Sequence, residues 1–310
     1  MRILFTGASS FTGYWFVKTL TARGHKVTAC LQAESLENYA GVRKARIQNI
    51  KNLAQLEFGV SFGSAKFLDL LEKENYDVLC HHGANVTNYK SQDFDFLAAT
   101  ASNTHNLKKV IPLAQRRVQA IVLTSSVFEA GMGVGEFPHR AFNPYGLSKT
   151  LTREIFSYYC AVFKLPLKVF VIPNPFGVLE EPRFVNYLVE SWSKNITPSV
   201  KTALYIRDNI PIDLLALAYA DFVEKSNPEF ISYSYPQGYV ESQGQFAERC
   251  ARQFSQRLGV QFNVQLEEQR DFSEPLTRVN TESVRIAHPE WNEAQFWQQY
   301  VDYYREKYFS

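Results

Sequence analysis

The sequence predicts an α/β protein built on a doubly wound parallel sheet. Two observations predict it. The chain opens on a strand, a glycine-bearing turn, a helix and a second strand, in the order of a βαβ unit. Further along, short apolar runs without polar alternation recur between helical segments. Ala120-Ile121-Val122-Leu123 and Leu167 to Ile172 are of this kind. Such runs suit strands covered by helices on both faces.

Ile3-Leu4-Phe5 is the first strand, and Thr6-Gly7-Ala8-Ser9-Ser10-Phe11-Thr12-Gly13 is the turn that leads into a helix. That helix runs to about Arg23 and is closed by Gly24, and Lys26 to Leu31 follow as the second strand. Gly7 allows the tight turn, Gly13 allows close helix packing, and the N–H groups at the helix start attract a pyrophosphate. Ser10 stands where a glycine is usual, which implies a wider loop or a hydroxyl aimed at a phosphate. Gln32, just past the second strand, is neither the acid that favours NAD nor the arginine that favours NADP. The choice between NAD and NADP stays open.

Residues 34–56 look helical and polar. A third strand is expected near Val60-Ser61-Phe62, then a helix through Leu68 to Leu71. Tyr76 to His81 reads as the fourth strand, ending in His82-Gly83-Ala84-Asn85, where small residues let a cofactor's sugar approach. Two adjacent histidines on a strand point to opposite faces, so no metal site is expected. Residues 93–115 are expected to form one long helix.

Thr124-Ser125-Ser126 closes the Ala120 strand and faces the crevice where ligands sit in such sheets. Then Asn143 caps a helix, Pro144 takes its first position, and Tyr145-Gly146-Leu147-Ser148-Lys149 follow. Tyr145 and Lys149 share one face of that helix. Removing a free tyrosine's proton at pH 7 costs roughly 4 kcal/mol, and a nearby ammonium lowers that cost. A tyrosine so poised can exchange a proton with a carbonyl or alcohol oxygen.

The chain has 310 residues, 45% hydrophobic and 21% charged, with a net charge of +2. That argues against nucleic acid or a membrane as partner. Cys30, Cys80, Cys160 and Cys250 lie far apart, as reduced thiols of a cytoplasmic protein do. The opening strand leaves no room for a signal peptide. Near the C-terminus Phe296, Tyr300 and Tyr304 recur at helical spacing, a core stripe.

These motifs together resemble the extended short-chain dehydrogenase/reductases, in their nucleotide-sugar epimerase/dehydratase branch. The glycine turn matches at Gly7 and Gly13. The segment His81-His82-Gly83-Ala84 resembles the family's His-x-Ala-Ala. Ser126 stands five residues before Gly131, as the family's catalytic hydroxyl does, and Tyr145 and Lys149 match its Tyr-x-x-x-Lys. Asn174-Pro175 resembles the Asn-Pro whose asparagine contacts the sugar nucleotide. Arg207-Asp208 and Arg270-Asp271 resemble the two places from which arginines grip the diphosphate. The family's 4,6-dehydratases carry Asp-Glu after the catalytic hydroxyl residue, where this chain has Val127-Phe128. Its helix asparagine is replaced by Thr100.

The resemblance implies an NAD- or NADP-binding domain over residues 1–174 with a returning segment at about 207–228. A smaller substrate lobe would cover 175–206 and 229–310. It implies hydride transfer at C4 of a nucleotide-linked sugar, as a 4-epimerase or a 4-keto reductase. Ser126, Tyr145 and Lys149 would be catalytic. Gly7, Ser9, Ser10, Phe11, Gly13, Gln32, His81, Gly83, Ala84, Tyr145 and Lys149 would hold the cofactor. Asn85, Ser126, Asn174, Arg207 and Arg270 would hold the substrate. A homodimer is a further expectation. A reductase of free aldehydes or ketones and a non-catalytic dinucleotide sensor are the competing readings.

Overall fold

The computed structural model describes every residue except Lys90, Pro138, Asn227, Pro228 and Ser310. In chain order the strands used below are β1 (Arg2–Thr6), β2 (Lys26–Leu31), β3 (Gln55–Phe58), β4 (Val78–His81), β5 (Ala120–Ser126), β6 (Leu167–Ile172), β7 (Asn174–Phe176), β8 (Ile206–Pro211), β9 (Ile231–Ser234), β10 (Tyr239–Ser242) and β11 (Arg278–Val279). The helices are α1 (Phe11–Ala22), α2 (Gly41–Ile50), α3 (Ala65–Lys73), α4 (Phe96–Asn103), α5 (Leu107–Gln115), α6 (Pro144–Phe163), α7 (Phe184–Ser193), α8 (Ile212–Glu224), α9 (Gln243–Leu258) and α10 (Glu293–Tyr308). The chain divides into two compact units. One comprises Met1–Met132, His139–Ile172 and Ala216–Tyr235, and the other Gly133–Pro138, Pro173–Leu215 and Pro236–Ser310.

The first unit is the doubly wound sheet. Seven strands run in the order β9-β6-β5-β4-β1-β2-β3, and every neighbouring pair is parallel. The chain winds outward from β1 to β3, then crosses back to β4. The strand order therefore reverses between β1 and β4, and the C-terminal ends of these two strands flank the crevice of such a sheet. Ile3, Leu4, Phe5, Leu79, Cys80, Ile121 and Val122 are fully buried, as strands covered on both faces require. Caps fix where the two functional helices begin. Ser10 caps α1, and Asn143 caps α6 by accepting the Gly146 N–H at 2.9 Å. Each such cap stabilises its helix by about 1 kcal/mol.

Three expectations are corrected. The third strand is Gln55–Phe58, ahead of Val60-Ser61-Phe62. It is an edge strand, so its residues are not fully buried, whereas Val60 and Phe62 fill the core from a loop. The segment 93–115 is two helices, α4 and α5, broken at Asn106, whose backbone is left-handed at φ 51°. The break lets Asn106 Nδ2 reach the Gly63 carbonyl at 2.8 Å. Finally, the segment that returns to the first unit is Ala216–Tyr235, not 207–228. Its strand, β9, pairs with β6, while β8 pairs with β7 and β10 in the second unit.

The second unit has a small sheet, β10-β8-β7, backed by aromatic residues. Phe176, Phe246, Phe254, Trp297, Tyr300 and Tyr304 are all buried. The stripe on the last helix, α10, is thus core. The buried Glu180 carboxylate accepts from the Tyr300 and Tyr304 hydroxyls. Burial raises its pKa to about 7.

Candidate active site

The glycine turn follows β1. Gly7 has φ 84°, and a Cβ there would stand 2.7 Å from the Gly83 nitrogen. A Cβ on Gly13 would stand 2.2 Å from the Gly7 carbonyl oxygen. Both glycines are therefore dictated by backbone contact, and the turn is pressed against the end of β4. That tight cradle at a helix N-terminus suits a pyrophosphate. Ser10 does not aim its hydroxyl outward. Its Oγ donates to the Gly7 carbonyl at 2.8 Å, accepts the Gly13 N–H at 3.1 Å and lies 3.0 Å from His82 Nε2. The Ser9 carbonyl accepts from the buried Arg46 of α2 at 3.2 Å. The Arg46 guanidinium sits 5.7 Å from the centre of the Phe11 ring, so Phe11 is a packing residue at the start of α1. Gln32 is exposed beyond β2.

The two histidines are absorbed by hydrogen bonds. His81 Nε2 faces the Asn103 carbonyl at 3.0 Å, so this nitrogen carries the proton. Its Nδ1 then accepts from the Thr6 hydroxyl at 2.9 Å, and Thr6 Oγ1 accepts the Gly83 N–H at 3.0 Å. His82 sits between Thr124 Oγ1 at 2.9 Å and the Ser10 and Thr12 hydroxyls at 3.0 Å. Burial, and next the Lys149 charge, push both rings down to about 3, so they are neutral. The His81 ring is buried and both of its nitrogens are used inside the protein. Gly83 and Ala84 are half-buried at the strand end. Asn85 is exposed. Its N–H donates to Asn103 Oδ1 at 3.1 Å, and its own Oδ1 accepts the Thr87 N–H at 3.1 Å. Asn103 also donates to Thr152 Oγ1 of α6 at 3.2 Å. It had no motif to mark it.

Ser126, Tyr145 and Lys149 belong to the same unit, on the end of β5 and the start of α6. The Lys149 ammonium is buried and donates to the Thr124 carbonyl at 2.6 Å. This bond ties the helix to the strand two residues from Ser126. The Ser126 Oγ accepts the Phe128 N–H at 3.2 Å. The Tyr145 ring is half-buried, held edge-on by Tyr89 and Phe94 at centroid distances of 5.4 and 5.9 Å. A carboxylate that sequence reasoning overlooked completes the cluster. Glu129 is fully buried, accepting the Ser126 N–H at 3.0 Å and the Arg153 Nε–H at 3.0 Å. A lone charge in the apolar run Val127-Phe128-Glu129-Ala130 was the signal that could have found it. Burial pulls the Lys149 pKa down, against the pull of Glu129. Burial pushes Glu129 up, against Lys149 and Arg153.

Three expected substrate residues lie in the second unit. Asn174 is half-buried at the start of β7. Arg207, on β8, is buried over the Tyr205 ring, and its Nη2 pairs with Glu274 at 2.8 Å. Arg270 is exposed on a loop. Arg278 of β11 is fully buried, beside a bridge between Ile206 of β8 and the preceding residue Thr277. Burial, then the Arg207 charge, lower its pKa. Two buried guanidiniums thus lie on adjoining strands, one of them neutralised by Glu274. Among the described residues no group of three or more His, Cys, Asp or Glu gathers as a metal site, and no helix is long and apolar enough to cross a membrane.

Known proteins with this architecture are consistent in kind. No curated protein matches the sequence. Among solved structures the fold is similar to UDP-glucuronic acid 4-epimerase from Bacillus cereus in complex with UDP-glucuronic acid and NAD. The TM-score is 0.77 at 15% identity, over 99% of this chain and 100% of that one. It is similar to UDP-glucose 4-epimerase with UDP-glucose from Thermotoga maritima, with a TM-score of 0.74 at 16% identity, over 99% of each chain. It is also similar to dTDP-glucose 4,6-dehydratase from Streptomyces venezuelae with NAD bound. Here the TM-score is 0.74 at 19% identity, over 99% of this chain and 97% of that one. The family model described as "NAD dependent epimerase/dehydratase family" matches residues 3–209, about two thirds of the sequence. That match runs from the first strand of the sheet into β8 and takes in the glycine turn, the Ser126 strand end and the Tyr145 helix, so the chain belongs to the NAD dependent epimerase/dehydratase family.

Proposed function

We propose that this enzyme oxidises and reduces C4 of a nucleotide-linked sugar, as a 4-epimerase or a 4-keto reductase. The observation that carries the reading is the Lys149–Thr124 bond, which fixes the Tyr145 helix against the strand that ends in Ser126. Gly7, Gly13 and Gly83 fit NAD or NADP, since a side chain at Gly7 or Gly13 would strike backbone within the cradle. Bound there, the dinucleotide supplies the redox partner for the sugar carbon. Tyr145 gives a proton to the C4 oxygen or takes one from it. Lys149 favours the phenolate by its charge. Ser126 donates a hydrogen bond to the same oxygen, where charge develops.

Elimination of water, the other chemistry of the family, needs an acid and a base beyond this set. Val127 and Phe128 cannot ionise, and the nearby Glu129 is engaged by Ser126 and Arg153. We therefore assign C4 redox chemistry alone. Arg207, with Asn174 and Arg278, holds the diphosphate and sugar of the substrate. Free, buried thiols support a reducing, cytoplasmic location. Leu147, Tyr158 and Val162 are exposed along one face of α6, and we place the contact of a homodimer there. Sedimentation of wild type and Tyr158→Glu tests the dimer.

The test of the main reading is calorimetric titration of UDP, CDP, GDP and dTDP, followed by turnover of the matching sugars. Binding of one nucleoside diphosphate well below millimolar is expected. Failure of all four to bind would leave the reductase of free aldehydes or ketones as the better account.

A further inference from the structure

Glu129 sits at the centre of a charge cluster that the reaction above does not use. One oxygen takes the Ser126 N–H and the other takes Arg153. Arg153 also donates to the Ala130 carbonyl at 3.2 Å and reaches Glu154 at 2.6 Å. Lys149 lies one helical turn before Arg153, on the same face of α6. The groups that face Lys149 from other elements are His81 and His82 on β4, both neutral, and Glu129 in the turn after β5. From α6 itself come Tyr145 and Arg153. The carboxylate of Glu129 is thus the negative charge that this buried ammonium has beside it.

We propose that Glu129 is a positioning residue: its carboxylate fixes the Ser126 turn and keeps Lys149 charged, and so sets the upper pH limit of the Tyr145–Lys149 pair. The proposal rests on the roles given above to Ser126, Tyr145 and Lys149. The physics is simple. A buried ammonium loses its hydration, and without a partner it sheds its proton rather than bear that cost. An opposite charge within about 4–6 Å moves a pKa by about 1–3 units, and Glu129 is held near Lys149 by its bonds to the Ser126 N–H and to Arg153, one turn along the same helix. Removing the charge of Glu129 lets Lys149 lose its proton at lower pH, and the phenolate of Tyr145 then loses its support.

The experiment compares wild type, Glu129→Gln and, in case the single variant does not fold, the double variant Glu129→Gln/Arg153→Met, which also removes the guanidinium that Glu129 otherwise neutralises. Lys149 is followed by its Cε chemical shift in protein carrying 13C-lysine, assigned with Lys149→Arg. Its titration should move down by about one pH unit or more. With UDP-glucose as the probe substrate, the alkaline limb of kcat should move down by the same amount while KM changes less than about threefold. A Lys149 titration that stays within about 0.3 unit of wild type in the folded variant, single or double, overturns the proposal. Tyr145→Phe separates the two readings. If it keeps near-normal turnover, the roles of the pair fail and this proposal falls with them. If it is inactive while Glu129→Gln titrates as wild type, the assignment of Glu129 alone fails.

Discussion

Gly146 touches the backbone of Phe128: a Cβ on Gly146 would stand 2.2 Å from the Phe128 carbonyl oxygen. The contact joins the residue after Tyr145 to the turn after Ser126. Gly146→Ala must push the start of α6 off that turn. We expect a loss of about 1–3 kcal/mol in stability, the usual cost of overpacking. Turnover should fall further than dinucleotide affinity, because the helix start carries Tyr145. Denaturation midpoints and steady-state rates check this, and a fully active, equally stable variant would show that the contact is soft.

Tyr145→Phe should keep the fold and dinucleotide binding. The ring contacts with Tyr89 and Phe94 do not use the hydroxyl. Turnover should drop by at least about 10²-fold, the usual size of a lost general acid. Rates measured with the nucleotide sugar that binds decide it.

Arg207→Ala should raise KM for a nucleotide sugar by about ten- to a hundred-fold, the worth of one charged hydrogen bond partly shielded from water. Dinucleotide affinity should not change. Arg270→Ala, on its exposed loop, should leave both constants as they are. Equal effects from the two variants would contradict the burial argument.

Glu180 predicts a pH dependence of stability. Its folded pKa is raised from 4.5 to about 7 by burial among Tyr300 and Tyr304. The folded state therefore binds more protons than the unfolded one between these values. Stability from this group is full below about pH 4.5 and is lost as pH rises to about 7, to the extent of about 3 kcal/mol. Asp208 acts in the same sense, with its pKa raised to about 7 by burial. His81 and His82, at about 3, act in the opposite sense below pH 6.5. Glu180→Gln isolates the first contribution. Its stability relative to wild type should rise between pH 5 and pH 8, and a difference that does not vary with pH would refute the assignment.

What could be read from the sequence was what is encoded locally. The glycine turn and the Tyr145–Lys149 spacing each lie within one turn or one helix, so residue order alone places them. The edge strand β3 escaped because it is not fully buried and lacks the apolar run of its neighbours. The break at Asn106 depends on Gly63, far away in the chain. Glu129, in the turn after β5, and Arg153, on α6, find each other in space, and no spacing rule joins them. Arg278 and Arg270 look equivalent as letters, and burial is what separates them.

Ser10 and His82 carry a historical implication. The serine replaces the middle glycine of the turn, and its hydroxyl lies against the His82 ring, which also meets Thr12 and Thr124. A glycine at position 10 would remove one partner from a buried imidazole, and an apolar residue at 82 would take one partner from each of three hydroxyls. The exchange is therefore coupled. Among relatives, serine at the first of these positions and histidine at the second should be inherited together, so that the pair marks a lineage and either one alone marks a passing intermediate.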